Sequence, residues 1–252
     1  MNNKKKPEQD PRLKIGWEKF FKKNFEEALM QFEEILQEES EGIEALYARA
    51  CALIRSHDFE AALKDLNLLV KMDPKRPEFF HTRALVSGAI EKYKDAVRDL
   101  EKTLLLSPQN LEAWCDLGGT YLMMKEFVKA GDCFEKGIDI DKSCPDSWYG
   151  KGVTALENKE YKKAIQFLNA AIKINGKYTL AVLARGEAYY ASGQKKEALK
   201  DFKKAMNLDP SILKRIQKES EAYEEEVDDY HSSDEEESID ENSDLEDFKF
   251  DE

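Results

Sequence analysis

The chain has 252 residues, 41% hydrophobic and 36% charged, with only 12 glycines and 7 prolines, a balance that fits a soluble helical protein with a modest core. No apolar run approaches the roughly 20 residues needed to cross a bilayer, so a membrane-spanning class is excluded at the level of sequence. The formal charge of −13 is segregated: residues 219–252 hold 18 acids against the single base Lys249, whereas residues 1–218 hold 34 acids against 38 bases.

Residues 1–8 carry Lys4-Lys5-Lys6 with no apolar stretch behind them. They read as a disordered basic end, neither a secretory signal nor a basic run long enough to argue nuclear import. The four cysteines, Cys51, Cys115, Cys133 and Cys144, lie at no metal-ligand spacing from one another or from a histidine. They are expected to be small buried or half-buried thiols in a reducing compartment, with neither metal nor cofactor.

From residue 9 onward the sequence repeats. Ala28, Ala62, Ala96, Ala130, Ala164 and Ala198 keep an unbroken 34-residue period. Twelve residues before each stands a small residue: Gly16, Ala50, Ala84, Gly118, Gly152 or Gly186. Four residues after each stands Phe32, Leu66, Leu100, Phe134, Leu168 or Phe202. An aromatic precedes the alanine by three in five units, as Phe25, Phe59, Tyr93, Phe127 and Tyr161, and Pro74, Pro108 and Pro210 close three units. Within each unit the apolar residues follow helical spacing and nothing alternates with period two. Each unit is therefore predicted to be two helices of about 13 residues. Their joints fall at places such as Ser56-His57-Asp58 and Ser192-Gly193-Gln194. The small residue and the alanine mark the closest approach of the two backbones, where a larger side chain would overpack.

The pattern resembles the tetratricopeptide repeat, most fully in Trp114, Leu117, Gly118, Tyr121, Ala130 and Phe134. The resemblance covers six units, 9–42, 43–76, 77–110, 111–144, 145–178 and 179–212. It departs where Ser40, Lys142 and Gly176 replace the closing proline, and where only two units carry the tryptophan. It implies an all-α fold, a right-handed superhelical α-solenoid of helix-turn-helix hairpins. Stacked repeats need capped ends. Residues 213–227, with Leu213, Ile216, Tyr223 and Val227 on or near one helical face, are expected to cap the C-terminus, and Trp17, Phe20 and Phe21 the N-terminus.

Three units couple an arginine to an aspartate sixteen residues later: Arg49 with Asp65, Arg83 with Asp99, and Arg185 with Asp201. Each couple is read as a structural ion pair between the two helices of one hairpin, of the weakly stabilising, partly exposed kind.

The resemblance also implies that the first helix of each hairpin lines a partner-binding groove. Its second position is acidic in five units: Asp10, Glu44, Glu78, Glu112 and Asp146. Its fifth and sixth positions supply Tyr47, His81, Tyr149 and Asp116, its ninth Trp17 and Leu85, and its twelfth Phe20, Ile54, Leu122, Leu156 and Tyr190. The expected surface is an apolar and aromatic strip edged by carboxylates. It suits a protein segment with apolar anchors and a few lysines or arginines. The lysine-rich clamp with which some members hold acidic chaperone C-termini is missing, since Lys14 alone is basic at the corresponding slots.

Residues 228–252 form an acidic tail predicted to be disordered. Ser232, Ser233, Ser238 and Ser243 each have an acid three residues later and are candidate phosphorylation sites; the competing reading is a tail that only solubilises. Two functions follow. The first is a non-enzymatic scaffold or adaptor holding a protein partner in the groove, in the cytoplasm or the nucleus. The second is a chaperone-like carrier of basic clients that uses the tail. No phosphate-binding loop, nucleophile elbow or metal cluster argues for an enzyme, no concentrated basic patch for nucleic acid, and nothing for a membrane or a particular oligomeric state.

Overall fold

A computed structural model describes residues 10–38 and 42–212. The N-terminal residues 1–8, the 213–227 cap and the 228–252 tail with its four serines therefore lie outside the described residues. The described residues form twelve α-helices and no strand. The chain divides into two compact units, Met1–Lys142 and Ser143–Glu252. Unit 1 holds four hairpins: α1 (Pro11–Phe21) with α2 (Phe25–Glu38), α3 (Ile43–Arg55) with α4 (Phe59–Met72), α5 (Pro77–Ala89) with α6 (Tyr93–Leu106), and α7 (Leu111–Met123) with α8 (Phe127–Ile140). Unit 2 holds two: α9 (Pro145–Glu157) with α10 (Tyr161–Ile174), and α11 (Thr179–Ala191) with α12 (Lys195–Leu208).

Local chemistry explains where each helix starts and stops. Pro11, Pro77 and Pro145 open α1, α5 and α9, where a missing N–H costs nothing. Asp10, Asp58 and Asn110 cap α1, α4 and α7 by accepting from backbone amides of the first turn. Every first helix ends the same way. Lys23, His57, Glu91, Lys125, Lys159 and Gly193, spaced by one repeat, have φ between 58° and 81°. In α3 the N–H of His57 donates to the carbonyl of Ile54 and that of Asp58 to Leu53, a Schellman closure that satisfies the last carbonyls. Five of these six left-handed positions are held by residues with a Cβ, each bearing a strain that only Gly193 escapes.

The second helices stop without depending on proline. α8 and α10 end at Ile140 and Ile174, as far into their units as α4 and α6, which have the closing proline. The common feature is a polar residue just past the end. Asp73, Asn175 and Asp209 each accept, through a side-chain oxygen, the amide two residues on. This Asx turn gives the backbone an alternative to another helical turn.

Each hairpin closes where the small residue faces the second helix. A Cβ at Gly186 would come within 2.5 Å of Phe202 Cε1, at Gly152 within 2.6 Å of Leu168 Cγ, and at Gly118 within 2.8 Å of Phe134 Cζ. Where alanine holds the slot, as Ala50 and Ala84, the opposing residue is leucine, Leu66 and Leu100. Phe32, Leu66, Leu100, Leu168 and Phe202 are all but fully buried, and burial of such a side chain contributes about 1.5–3 kcal/mol. The cores run from hairpin to hairpin. One joins Leu36 of α2 to Leu46, Leu66 and Phe79, another joins Leu100 to Leu117, Tyr121 and Phe134, and in unit 2 Ala171 of α10 packs with Ala181 and Ala184.

The arginine–aspartate couples are forked. Arg49 donates to both oxygens of Asp65 at 2.8 and 2.7 Å, Arg83 to both of Asp99 at 2.7 Å, and Arg185 to both of Asp201 at 2.6 Å. The aspartate side chains are only 8, 5 and 7% exposed. The pairs are thus more buried than an exposed-pair estimate assumes, and loss of an arginine strands a desolvated carboxylate. Two of the arginines reach further: Arg83 Nη1 donates to Asn67 of α4, and Arg185 Nη1 to Asn169 of α10. Each therefore ties its own hairpin to the second helix of the one before.

Candidate partner-binding face

The first helices of unit 1 bring together most of the residues expected to meet a partner, but they use several of them internally. Asp10 accepts from the backbone of Arg12 and pairs with its guanidinium, which also holds Glu38. Those two carboxylates hold the Arg12 guanidinium well above its ordinary pKa. Arg76 lies between Glu44 and Glu78, 2.6 Å from each, with its guanidinium 4.4 Å above the ring of Phe79. In unit 2, Tyr178 donates to Asp146 at 2.5 Å. Burial, reinforced by that carboxylate, pushes the Tyr178 hydroxyl well up. Four acids of the expected row thus have internal partners: Asp10 and Glu78 pair with an arginine two residues away, whereas Glu44 and Asp146 join successive hairpins through Arg76 and Tyr178, each 32 residues after the acid it reaches back to. Glu112 is exposed.

The middle of the face is cross-linked by polar contacts between neighbouring first helices. Tyr47 of α3 bonds Thr82 of α5 at 3.2 Å, and His81 of α5 bonds Asp116 of α7 at 2.6 Å. Burial raises the Tyr47 hydroxyl above its usual range. At the N-terminal end Trp17 and Phe20 cluster with Phe21, Phe25 and Phe32, at ring separations of 5.2–6.0 Å, and Phe21 remains 77% exposed.

The twelfth-position side chains turn largely inward. Phe20, Ile54 and Leu122 in unit 1, and Leu156 and Tyr190 in unit 2, each pack against a buried cluster. Tyr149 stacks obliquely on Tyr178 at 5.2 Å. The exception in this series is Gly88 of α5. Beside it, where α7 meets the α5–α6 hairpin, lies a cleft of about 400 Å³ with Leu85, Gly88, Tyr93, Cys115, Gly119 and Met123 on its walls. Leu85 is 49% and Met123 63% exposed, and the Asp116 side chain is 38% exposed at its rim. Gly119 and Gly88 fall at the ninth and twelfth groove positions, but sequence reasoning passed over Met123 and the cleft that the three share, because they occupy different repeat positions and meet only through the packing of α5 on α7.

Reactive chemistry is muted. Burial pushes the Cys51 thiol up to about 11 and the Cys133 thiol up to about 12. Among the described residues no group of three or more histidines, cysteines or carboxylates is arranged to hold a metal ion, and no helix is long and apolar enough to cross a membrane.

Comparison with known proteins agrees with this architecture. No curated protein sequence matches the chain. Among solved structures, MamA is 27% identical and aligns with 66% of this chain and 96% of its own at a TM-score of 0.58. A tetratricopeptide repeat protein from Parabacteroides merdae is 15% identical, aligned over 79% of this chain and 78% of its own, with a TM-score of 0.71. YrrB, a tetratricopeptide protein with an unusual peptide-binding site, is 18% identical over 71% of this chain and 92% of its own, with a TM-score of 0.56. Family models described as tetratricopeptide repeat match residues 43–76, 111–144, 145–178 and 180–212, more than half of the sequence. With six like hairpins, a shared inter-helix contact in each and those matches, the chain belongs to the tetratricopeptide-repeat family.

Proposed function

We propose that this chain is a non-enzymatic scaffold that holds a segment of a partner protein against the first helices of unit 1. The observation that carries the reading is local. Exposed Leu85 and Met123 stand beside an open cleft lined in part by Asp116, with exposed Glu112 one turn before it on α7. Exposure alone does not choose this face. Leu105 and Val128, on second helices, are 73 and 78% exposed, but they lie outside the cleft. The hydrogen bonds from Tyr47 to Thr82 and from His81 to Asp116 hold neighbouring first helices in register, so little ordering entropy is spent on binding. Raised thiol pKa values keep Cys51 and Cys133 protonated and poorly nucleophilic near neutral pH, which favours recognition over covalent catalysis. The carboxylates favour a segment that combines apolar anchors with lysine or arginine, and YrrB offers a precedent for peptide binding on this fold.

The reading is tested by placing a photo-crosslinking amino acid, in separate full-length chains, at Leu85, Met123, Leu105 and Val128 in cells. Adducts at the first two positions and not at the last two are expected. Adducts at Leu105 and Val128 alone, or at none of the four, would remove the reading.

A further inference from the structure

Glycine occurs in two physically different settings on the first helices. At Gly118, Gly152 and Gly186 a Cβ would strike the opposing side chain at 2.8, 2.6 and 2.5 Å, so packing forbids anything larger. At Gly88 and Gly119 a Cβ would meet nothing within 4 Å. Neither has a positive φ, and both lie inside helices. A glycine inside a helix destabilises it relative to alanine. Two of them facing one cleft, with neither packing nor backbone geometry requiring them, leave an opening. Its floor includes buried Ala84 and Leu100, and its walls are the exposed Leu85 and Met123.

We propose that this opening is an anchor pocket. It receives one bulky aliphatic or aromatic side chain from a segment of a separate protein, and Asp116 and Glu112 receive a lysine or arginine of the same segment. The proposal rests on the partner-binding reading above and adds the residue classes recognised. Charge identifies the occupant. Residues 10–142 hold 20 bases against 26 acids, and the cleft's rim carries Asp116 with Glu112 one turn before it on α7. The chain's own residues 219–252 are shut out by like charge, with 18 acids against one base. Spacing identifies the pattern. Asp116 and Glu112 precede Gly119 by three and seven residues, about 4.5 and 10.5 Å along α7 at about 1.5 Å per residue. An extended segment advances about 3.3 Å per residue, which puts its base about one to three positions from the anchor.

The test is selection of random short peptides displayed on phage against the full chain, followed by affinity measurement of synthetic copies of those selected. Wild type is expected to enrich a large apolar residue about one to three positions from a lysine or arginine. Gly119→Leu fills the pocket and should weaken those peptides about tenfold or more, with a melting temperature at or above that of wild type. Gly88→Ala should weaken them less, in the same direction. Glu112→Lys, which leaves the His81–Asp116 bond in place, should weaken the preference for a base and keep that for the anchor. Enriched peptides that crosslink to Leu85 yet bind Gly119→Leu as tightly as wild type would overturn the pocket and leave the partner-binding reading standing. Enrichment of no peptide, or only of peptides that crosslink away from α5 and α7, would overturn both.

Discussion

The two units are built by the same rules and present different surfaces. Residues 10–142 carry six more acids than bases, and residues 143–212 carry five more bases than acids, 12 against 7. In unit 1 the inner face is interrupted at Gly88 and Gly119. In unit 2 the positions that correspond to Gly88 are filled by Leu156 and Tyr190, both packed on buried clusters, and those that correspond to Gly119 are Val153 and Glu187. Yet the contact between small residue and opposing side chain, the arginine fork and the left-handed turn recur in both. What repeats is what joins one helix to the next. What varies is what faces outward, so a common stability mechanism and a local binding chemistry can change independently.

The largest effect tests the shared part. Arg83→Ala in unit 1 and Arg185→Ala in unit 2 each leave a buried aspartate and an asparagine without their donor. Each should cost about 3–5 kcal/mol. Urea unfolding followed by circular dichroism, with hydrogen exchange to locate the loss, is the measurement. A large loss in one unit and none in the other would show that the fork is not a common device. Next in size is a difference in thiol reactivity. Burial raises Cys133 from its ordinary range to about 12, so the folded chain binds that proton more tightly than the unfolded one. The associated stability is complete below the ordinary thiol pKa and is lost as pH rises through about 12. At mildly alkaline pH, iodoacetamide should therefore modify Cys133 at least about a hundredfold more slowly in the folded chain than in urea, as peptide mass spectrometry would register. Equal rates would mean that α8 opens far more readily than its core contacts imply.

Much of the architecture is legible because alanine, a small residue and an apolar partner return every 34 residues. Coupled substitutions are legible for the same reason: arginine and aspartate come and go together sixteen residues apart. Contacts between hairpins are harder to see. Asn67 and Asn169 precede their arginines by sixteen residues, but they belong to the preceding unit, so a comparison made within units passes over them. Arg76 and Tyr178 escape notice because arginine and tyrosine share no class, although both serve as donors to an acid 32 residues back. The left-handed turn is hidden where lysine, glutamate or histidine occupies it, since only Gly193 advertises such a backbone by residue type. The carboxylate row was legible as a row, whereas its internal use by Arg12, Arg76 and Tyr178 depends on side-chain reach that spacing does not encode.

A third effect sharpens the comparison at the hairpin contact. Gly186→Ala drives a Cβ to within 2.5 Å of the Phe202 ring and should cost about 1–3 kcal/mol. The hairpins with Ala50 and Ala84 already carry the compensating leucine, Leu66 and Leu100. Phe202→Leu added to Gly186→Ala should therefore recover much of the loss, a coupling read from a double-mutant cycle in urea. Additive losses would break the size rule and leave Gly152 opposite Leu168 as the pattern that needs explaining.

The smallest effects have opposite signs in the two units. Gly193 turns the chain between α11 and α12 at φ +81°, where a Cβ is strained although space is open around it. Gly193→Ala should cost about 1 kcal/mol. Gly119 sits inside α7 with the same open space and no backbone reason to be glycine. Gly119→Ala should therefore stabilise unit 1 by about 0.5–1 kcal/mol, the ordinary gain on removing a glycine from a helix interior. Thermal melts of the two single variants settle the matter by sign alone. If Gly119→Ala lowers the melting temperature, the opening beside α7 is already filled by the protein's own side chains, and glycine stands there for packing, as at Gly118. If it raises the melting temperature while Gly193→Ala lowers it, equal space around two glycines has been separated into a constraint of the backbone and a vacancy kept on the surface.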